Sequence, residues 1–147
     1  MLVLENLGLQ LTRLDSHARH QRVVEALIRH GEEQVGELEN SADLELYVET
    51  ENHEVVAGLI GRFRWNVLII NQLWVEPTYR GKGLGTFLML SAEEEALKRG
   101  ATVIALSTHE FNAPGLYTKL GFTLSGMVPE FPAGTNYYHF FKLIAPH

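Results

Sequence analysis

An apolar run ending at Val75 is stopped by Glu76-Pro77 and leads into three alternate glycines, Gly81, Gly83 and Gly85, with apolar residues at helical spacing behind them. The stretch LWVEPTYRGKGLG, Leu73 to Gly85, therefore reads as a strand, a turn and a helix start. Glycines at alternate positions let backbone N–H groups approach a ligand closely. The helix N-terminus behind them adds about half a positive charge, so a phosphate or pyrophosphate is the natural guest.

Spacing separates the phosphate-binding loops this could be. A P-loop needs Gly-x-x-x-x-Gly-Lys-Ser/Thr, whereas Lys82 lies between two glycines with no hydroxyl behind it. A dinucleotide fingerprint needs Gly-x-Gly-x-x-Gly, and here one residue separates each glycine from the next. The pattern present is Arg-x-x-Gly-x-Gly, from Arg80, Gly83 and Gly85, after a strand ending Val-x-Pro. The bland alternative is a strand-to-helix turn that binds nothing.

A chain of 147 residues suits one domain with a real core, spanning 1–147. No apolar run reaches the roughly 18 residues of a membrane helix, and MLVLENLGLQ lacks a basic region and a cleavage site, so a soluble, cytoplasmic protein without a membrane partner is expected. The absence of Cys excludes disulfides, Cys-ligated metals and a cysteine acyl-enzyme. A net charge of −6 argues against nucleic acid and mildly favours a cationic partner such as an amine. The seven His residues show no metal-ligand spacing, and no metal is expected.

In chain order, Leu7, Leu9 and Leu11 alternate with small or polar residues and predict a strand ending near Leu14. Asp15 or Ser16 caps a helix whose face carries Val23, Val24, Leu27 and Ile28 and which Gly31 stops. Gly31 to Asp43 reads as an acidic loop. Three strands follow as an antiparallel meander, around Leu44–Val48, Val55–Phe63 and Val67–Val75, with turns at Glu51-Asn52-His53 and Arg64-Trp65-Asn66. The third is apolar nearly throughout, as suits a central strand.

After the glycine loop, Leu84, Phe87, Leu88, Ala92 and Ala96 predict a helix ending at Gly100, and Thr102–Leu106 predicts a buried strand parallel to Val67–Val75. A short helix opens at Pro114 and ends at Gly121, and strands at Phe122–Val128 and Tyr137–Leu143 close the chain. The resulting fold class is α/β, as a mixed α+β sheet of about seven mostly antiparallel strands with a central parallel pair and three or four helices.

Two separated motifs in this element order carry a resemblance to the GNAT superfamily of N-acetyltransferases. One is the Arg80-x-x-Gly83-x-Gly85 loop. The other is APGLYTKLGF, Ala113 to Phe122, which resembles the family's Ala-x-x-Leu-Tyr helix followed by Gly-Phe. The resemblance covers roughly residues 7 to 143 and implies a GNAT-like fold with a splayed central pair. It implies acetyl-CoA as cosubstrate, a small-molecule amine acceptor and direct transfer in a ternary complex, and it leaves room for a homodimer.

Carried over, Leu73, Trp74 and Val75 present backbone groups to the pantetheine and thioester. Gly81, Lys82, Gly83, Leu84, Gly85 and Thr86 offer N–H groups to the pyrophosphate beside Arg80, and Tyr117 stands near the CoA sulfur as general acid. Two departures bear on chemistry. Relatives carry an Asn seven residues before the Tyr, where this chain has Glu110, leaving Asn112 as the nearby candidate cofactor contact. Where several relatives have a Glu base, this chain has Ser107 and Thr108, with His109 and Glu110 just beyond as candidate bases.

The aromatic residues Phe131, Tyr137 and Tyr138, flanking a Pro-Ala-Gly turn, point to an acceptor pocket shared with the first helix and its following loop. The rival class is a non-catalytic acyl-CoA sensor or scaffold, which would use the same loop.

Overall fold

The computed structural model describes residues 3–36 and 41–144. The chain divides at residues 37/38 into two compact units. The first contains helix α1, His17–Val35, whose N-cap Ser16 accepts a hydrogen bond from the Arg19 N–H at 3.2 Å. The helix runs through Gly31 and stops at Gly36, where φ is +95°. A glycine inside a helix costs only about 1 kcal/mol, and a stop needs the positive φ that Gly36 supplies and Gly31 does not. Of the expected loop, residues 37–40 lie outside the described residues.

The expected strand near Leu7–Leu14 is absent. Leu4–Leu7 form a single 3₁₀ turn closed by Gly8 at φ +68°, and the residues after it pair with nothing as a ladder. Alternation says which side chains would share a face, but a strand also needs a neighbour for its backbone groups.

The second unit holds a six-stranded sheet in the order β1-β2-β3-β4-β6-β5. The strands are β1 Asp43–Glu49, β2 Val55–Arg64, β3 Val67–Val75, β4 Val103–His109, β5 Thr123–Pro129 and β6 Asn136–Leu143. Only β3 and β4 run parallel, joined by α2, Leu84–Lys98; the short α3, Gly115–Lys119, precedes β5. Thus the described residues give six strands and three α-helices, one strand fewer than the alternation implies.

Leu84, Leu88, Ala92 and Ala96 of α2 pack on the sheet with Met89, while Phe87 points outward and is 59% exposed. The helical spacing includes Phe87, but the small alanines are what allow α2 to lie close to β2 and β3. Beneath it the core holds Leu59, Phe63, Leu68, Ile104 and Leu106. Lys142 of β6 reaches both carboxylate oxygens of Glu93 on α2 at 3.1 Å, a half-buried pair that ties helix to sheet.

Two features shape the parallel pair. At one end Asn66 donates from its side-chain amide to Thr102 Oγ1 at 2.7 Å, and its carbonyl accepts from the Thr102 N–H at 2.8 Å, fixing the register Val67↔Val103. Toward the other end, Ile60 faces Gln72 and Gly61 faces Ile70, so Asn71 is an extra residue in β3. Such a bulge bends its strand and increases its twist. The β3–β4 ladder ends beside it, at Ile70↔Leu106.

Gly61 is what lets β2 press against this bend. A Cβ there would lie 2.8 Å from the Ile69 carbonyl oxygen and 3.2 Å from Leu68 Cδ1. Gly61→Ala should therefore destabilise the protein by about 1–3 kcal/mol, as overpacking does, read as a lower Tm. Gly115→Ala, at an exposed position with ordinary φ where a Cβ meets nothing within 4 Å, serves as the surface control. An unchanged Tm for Gly61→Ala would show that the close approach of the two strands is not tight.

Candidate active site

Beyond Ile70 and Leu106 the central strands run on unpaired with each other, β3 to Val75 and β4 to His109. The fork between them opens a cleft of about 780 Å³. Its walls include Leu73, Trp74 and Val75 from β3, Ser107, Thr108 and His109 from β4, and Tyr137 from β6. Arg80, Gly81, Gly83, Leu84, Gly85 and Thr86 close one end, with Asn112 and Tyr117 beside them. Strand alternation turns Leu106 and Thr108 into the core, where Tyr117 also lies, and turns Ser107 and His109 to the opposite face. The fork thus joins two faces of the sheet.

The glycine loop ends in a helix start whose first turn has no side-chain cap. Gly83 is the N-cap of α2, in the left-handed region at φ +85°, and has no side chain to accept from the first-turn N–H groups. Those donors need an acceptor from elsewhere. A Cβ on Gly81 or Gly83 would meet nothing of the protein within 4 Å, so the space beside this backbone is open to a ligand. Arg80 Nε donates to the Val75 carbonyl at 2.9 Å, so this guanidinium is held at the base of the loop and Val75 O already has a partner. Lys82 lies over the Tyr79 ring at 5.3 Å and is not part of the cleft wall.

Tyr117 sits in the middle of α3, 7% exposed, between the rings of Phe122 and Phe140 at 5.9 and 5.8 Å. Burial disfavours the phenolate and raises its pKa above the ordinary tyrosine value. Tyr117 is therefore an O–H donor throughout the neutral range.

On the other face, His109 is immobilised. Its ring stacks on Phe111 at 4.8 Å and lies 4.7 Å from Tyr137 and 5.3 Å from Phe131. Its Nδ1 is 3.0 Å from the Phe131 carbonyl oxygen, which can only accept, so Nδ1 is the donor and the neutral ring has its lone pair on Nε2. Glu110 stands outside the cleft wall. It accepts from the Asn136 N–H at 3.2 Å and, at a long 3.5 Å, from the Tyr138 hydroxyl.

Of the three aromatic candidates for the acceptor, Tyr137 lines the cleft, while Phe131 stands behind it at 4.7 Å and Tyr138 leans toward Phe140 at 6.4 Å. Two neighbours carry no signal in the sequence, and a third, Ser107, is marked there only as standing where several relatives have a Glu. Asn71 reaches the cleft because it is the bulge residue, Phe111 because the turn after β4 folds it onto His109, and Ser107 comes within 2.6 Å of His139 through strand pairing. A register across 32 residues cannot be seen in a linear pattern.

The family model described as "Acetyltransferase (GNAT) family" matches residues 11–122. The chain belongs to this family, and the fold class expected from the two motifs is the one observed. It is 36% identical over 85 residues to the blasticidin-S acetyltransferase of Streptomyces morookaense, covering 57% of this chain and 62% of that one. It is 31% identical over 94 residues to an acetyltransferase of Agrobacterium fabrum, covering 64% of this chain and 69% of that one. A crystal structure of an acetyltransferase from Bacillus cereus superposes with a TM-score of 0.87 at 24% identity, covering 91% of this chain and 97% of that one, which speaks to the fold.

The raised pKa of Tyr117 makes a prediction about stability. Above an unfolded tyrosine pKa of about 10 the unfolded chain loses a proton that the folded chain retains, so stability falls as pH rises through that range. Tyr117→Phe should flatten this alkaline loss, measured by urea unfolding between about pH 9 and 11. An equal alkaline slope in both proteins would contradict the buried, protonated phenol.

Proposed function

We propose that the protein transfers an acetyl group from acetyl-CoA to a primary amine of a small molecule, by direct attack in a ternary complex. The observation that carries the reading is the fork: an opened central pair with a buried phenol on one face, an oriented imidazole on the other, and an uncapped helix start at its end. The blasticidin-S acetyltransferase among the relatives supports a small-molecule acceptor, and the chain spans 62% of that protein's length.

Each part of the chain then has a task. The N–H groups of Gly81 to Thr86 hold the pyrophosphate, with Arg80 adding charge. The backbone N–H and C=O of Leu73 and the N–H of Val75, which face away from β2 on the side where β4 no longer pairs, hold the pantetheine arm in place of a neighbouring strand. An alkylammonium with a pKa near about 10 is not a nucleophile, and His109 Nε2 takes its proton. The amine nitrogen forms its bond to the thioester carbon as the carbon–sulfur bond breaks. Tyr117 gives its proton to the departing sulfur, and the proton shed by the new amide nitrogen balances it. With no Cys in the chain, an acyl-thioester on the enzyme has no site. Tyr137 forms part of the acceptor pocket, and Asn112 contacts the cosubstrate.

A thiol-release assay with acetyl-CoA over a panel of primary amines, blasticidin S among them, tests the reading, with amine-dependent turnover expected. Tight acetyl-CoA binding without turnover on any amine would instead identify a sensor or scaffold. Tyr117→Phe keeps the ring and deletes the hydroxyl, and kcat should fall by at least about tenfold with little change in acetyl-CoA affinity, since a positioned acid contributes about 10²–10⁴-fold. Full turnover in the folded variant would mean that the thiolate leaves unassisted. Gly83→Val puts a β-branched side chain at φ +85° beside the loop N–H groups, and acetyl-CoA affinity by calorimetry should drop by about tenfold or more.

A further inference from the structure

Ser107 is the first residue of β4 beyond the fork, directly after the last β3–β4 pair at Ile70↔Leu106. It lines the cleft on the same face as His109 two residues on. Across the β4–β6 ladder it is paired with His139, and its Oγ lies 2.6 Å from His139 Nδ1. The histidine is itself held in place. Its carbonyl accepts from Ser125 Oγ at 3.1 Å, and the Tyr137 ring meets its ring edge-on at 5.3 Å.

A serine hydroxyl has one rotatable proton and two acceptor lone pairs. Once the proton is committed to an imidazole nitrogen, the oxygen can offer its surroundings only acceptor sites. We propose that Ser107 is the anchor for the acceptor nitrogen, accepting one of its N–H bonds, and that His139 is a positioning residue that keeps the Ser107 hydroxyl in this accepting state. This rests on the acetyltransferase reading of the fork.

The arrangement gives the amine two fixed partners. One N–H points to Ser107 Oγ and another to His109 Nε2, which aims the lone pair into the fork after deprotonation. It also selects against an acceptor atom with no hydrogen to donate. When His139 binds a second proton, Nδ1 becomes a donor, and the Ser107 hydroxyl must turn its own proton toward the cleft and face the ammonium with the wrong polarity. Acceptor binding is lost in that state. The titratable groups facing His139 are Tyr137 beside it on β6 and, beyond that ring, His109 on β4; Ser107 and Ser125 are its polar neighbours on β4 and β5.

The test measures steady-state kinetics with blasticidin S and with phenethylamine at saturating acetyl-CoA, for the wild type, Ser107→Ala, Ser107→Thr and His139→Gln. Ser107→Ala should raise acceptor KM by about tenfold, the scale of one hydrogen bond to a charged group, and leave acetyl-CoA affinity and Tm near wild type. Ser107→Thr keeps the hydroxyl and should recover most of the loss. Any acid-side fall of wild-type kcat/KM should be shallower in His139→Gln. An unchanged acceptor KM in Ser107→Ala, a loss confined to kcat, or an unaltered acid slope in His139→Gln would each overturn the anchor while leaving the acetyltransferase reading standing. No acetyl transfer by the wild type to any primary amine of the panel would overturn both.

Discussion

The rest of the molecule depends on a parallel pair of strands that is pinned at one end and forced apart at the other. Asn66 and Thr102 lock the start of β3 to the start of β4. Asn71 then inserts an extra residue into β3 opposite β2, and from that point the two central strands no longer share hydrogen bonds. Buried backbone groups without partners are costly, about 1–3 kcal/mol each, so a fork in the middle of a sheet persists only where the surrounding packing holds it open. Here Gly61 presses β2 onto the bulge from one side, while α2, packed through alanines, holds β3 from above. The same unpaired groups are what a ligand rich in amides can satisfy.

Much of this frame was legible in the sequence because it follows short-range rules. The meander from Asp43 to Val75, the helix from Leu84, and the positive-φ glycines at 100 and 121 that end α2 and α3 all came from periodicity and punctuation. The strand read from Leu7 to Leu14 failed because alternation cannot supply a neighbour, and the helix stop at Gly31 failed because glycine permits a left-handed turn without imposing one. Phe87 shows a related limit: it stands three residues from Leu84, yet at about 100° per residue it points away from the face set by Leu88, Met89, Ala92 and Ala96, and it is exposed.

The site was legible in its contiguous part and hidden in its long-range part. The glycine loop and the Tyr117 helix each occupy one stretch of chain, so their spacing carries their chemistry. Ser107, Asn71 and His139 do not; a bulge and a strand register bring them to the fork. Glu110 and His109 look equivalent as bases in the sequence, but the carboxylate is occupied by Asn136 and Tyr138 while the imidazole is held by Phe131 with one nitrogen still available. Charge follows the same division of labour. The chain is acidic overall, yet Arg80 and the uncapped start of α2 put positive potential at the end of the fork where phosphates would lie.

On the proposed function, backbone groups left free by the fork and by the start of α2 are satisfied by acetyl-CoA. Amide hydrogen exchange, resolved residue by residue with and without acetyl-CoA, addresses this directly. New protection should be concentrated in residues 73–75 and 81–86, with little change in β1 or in β5. Protection spread evenly over the sheet, or absent from both segments while acetyl-CoA is bound, would contradict it.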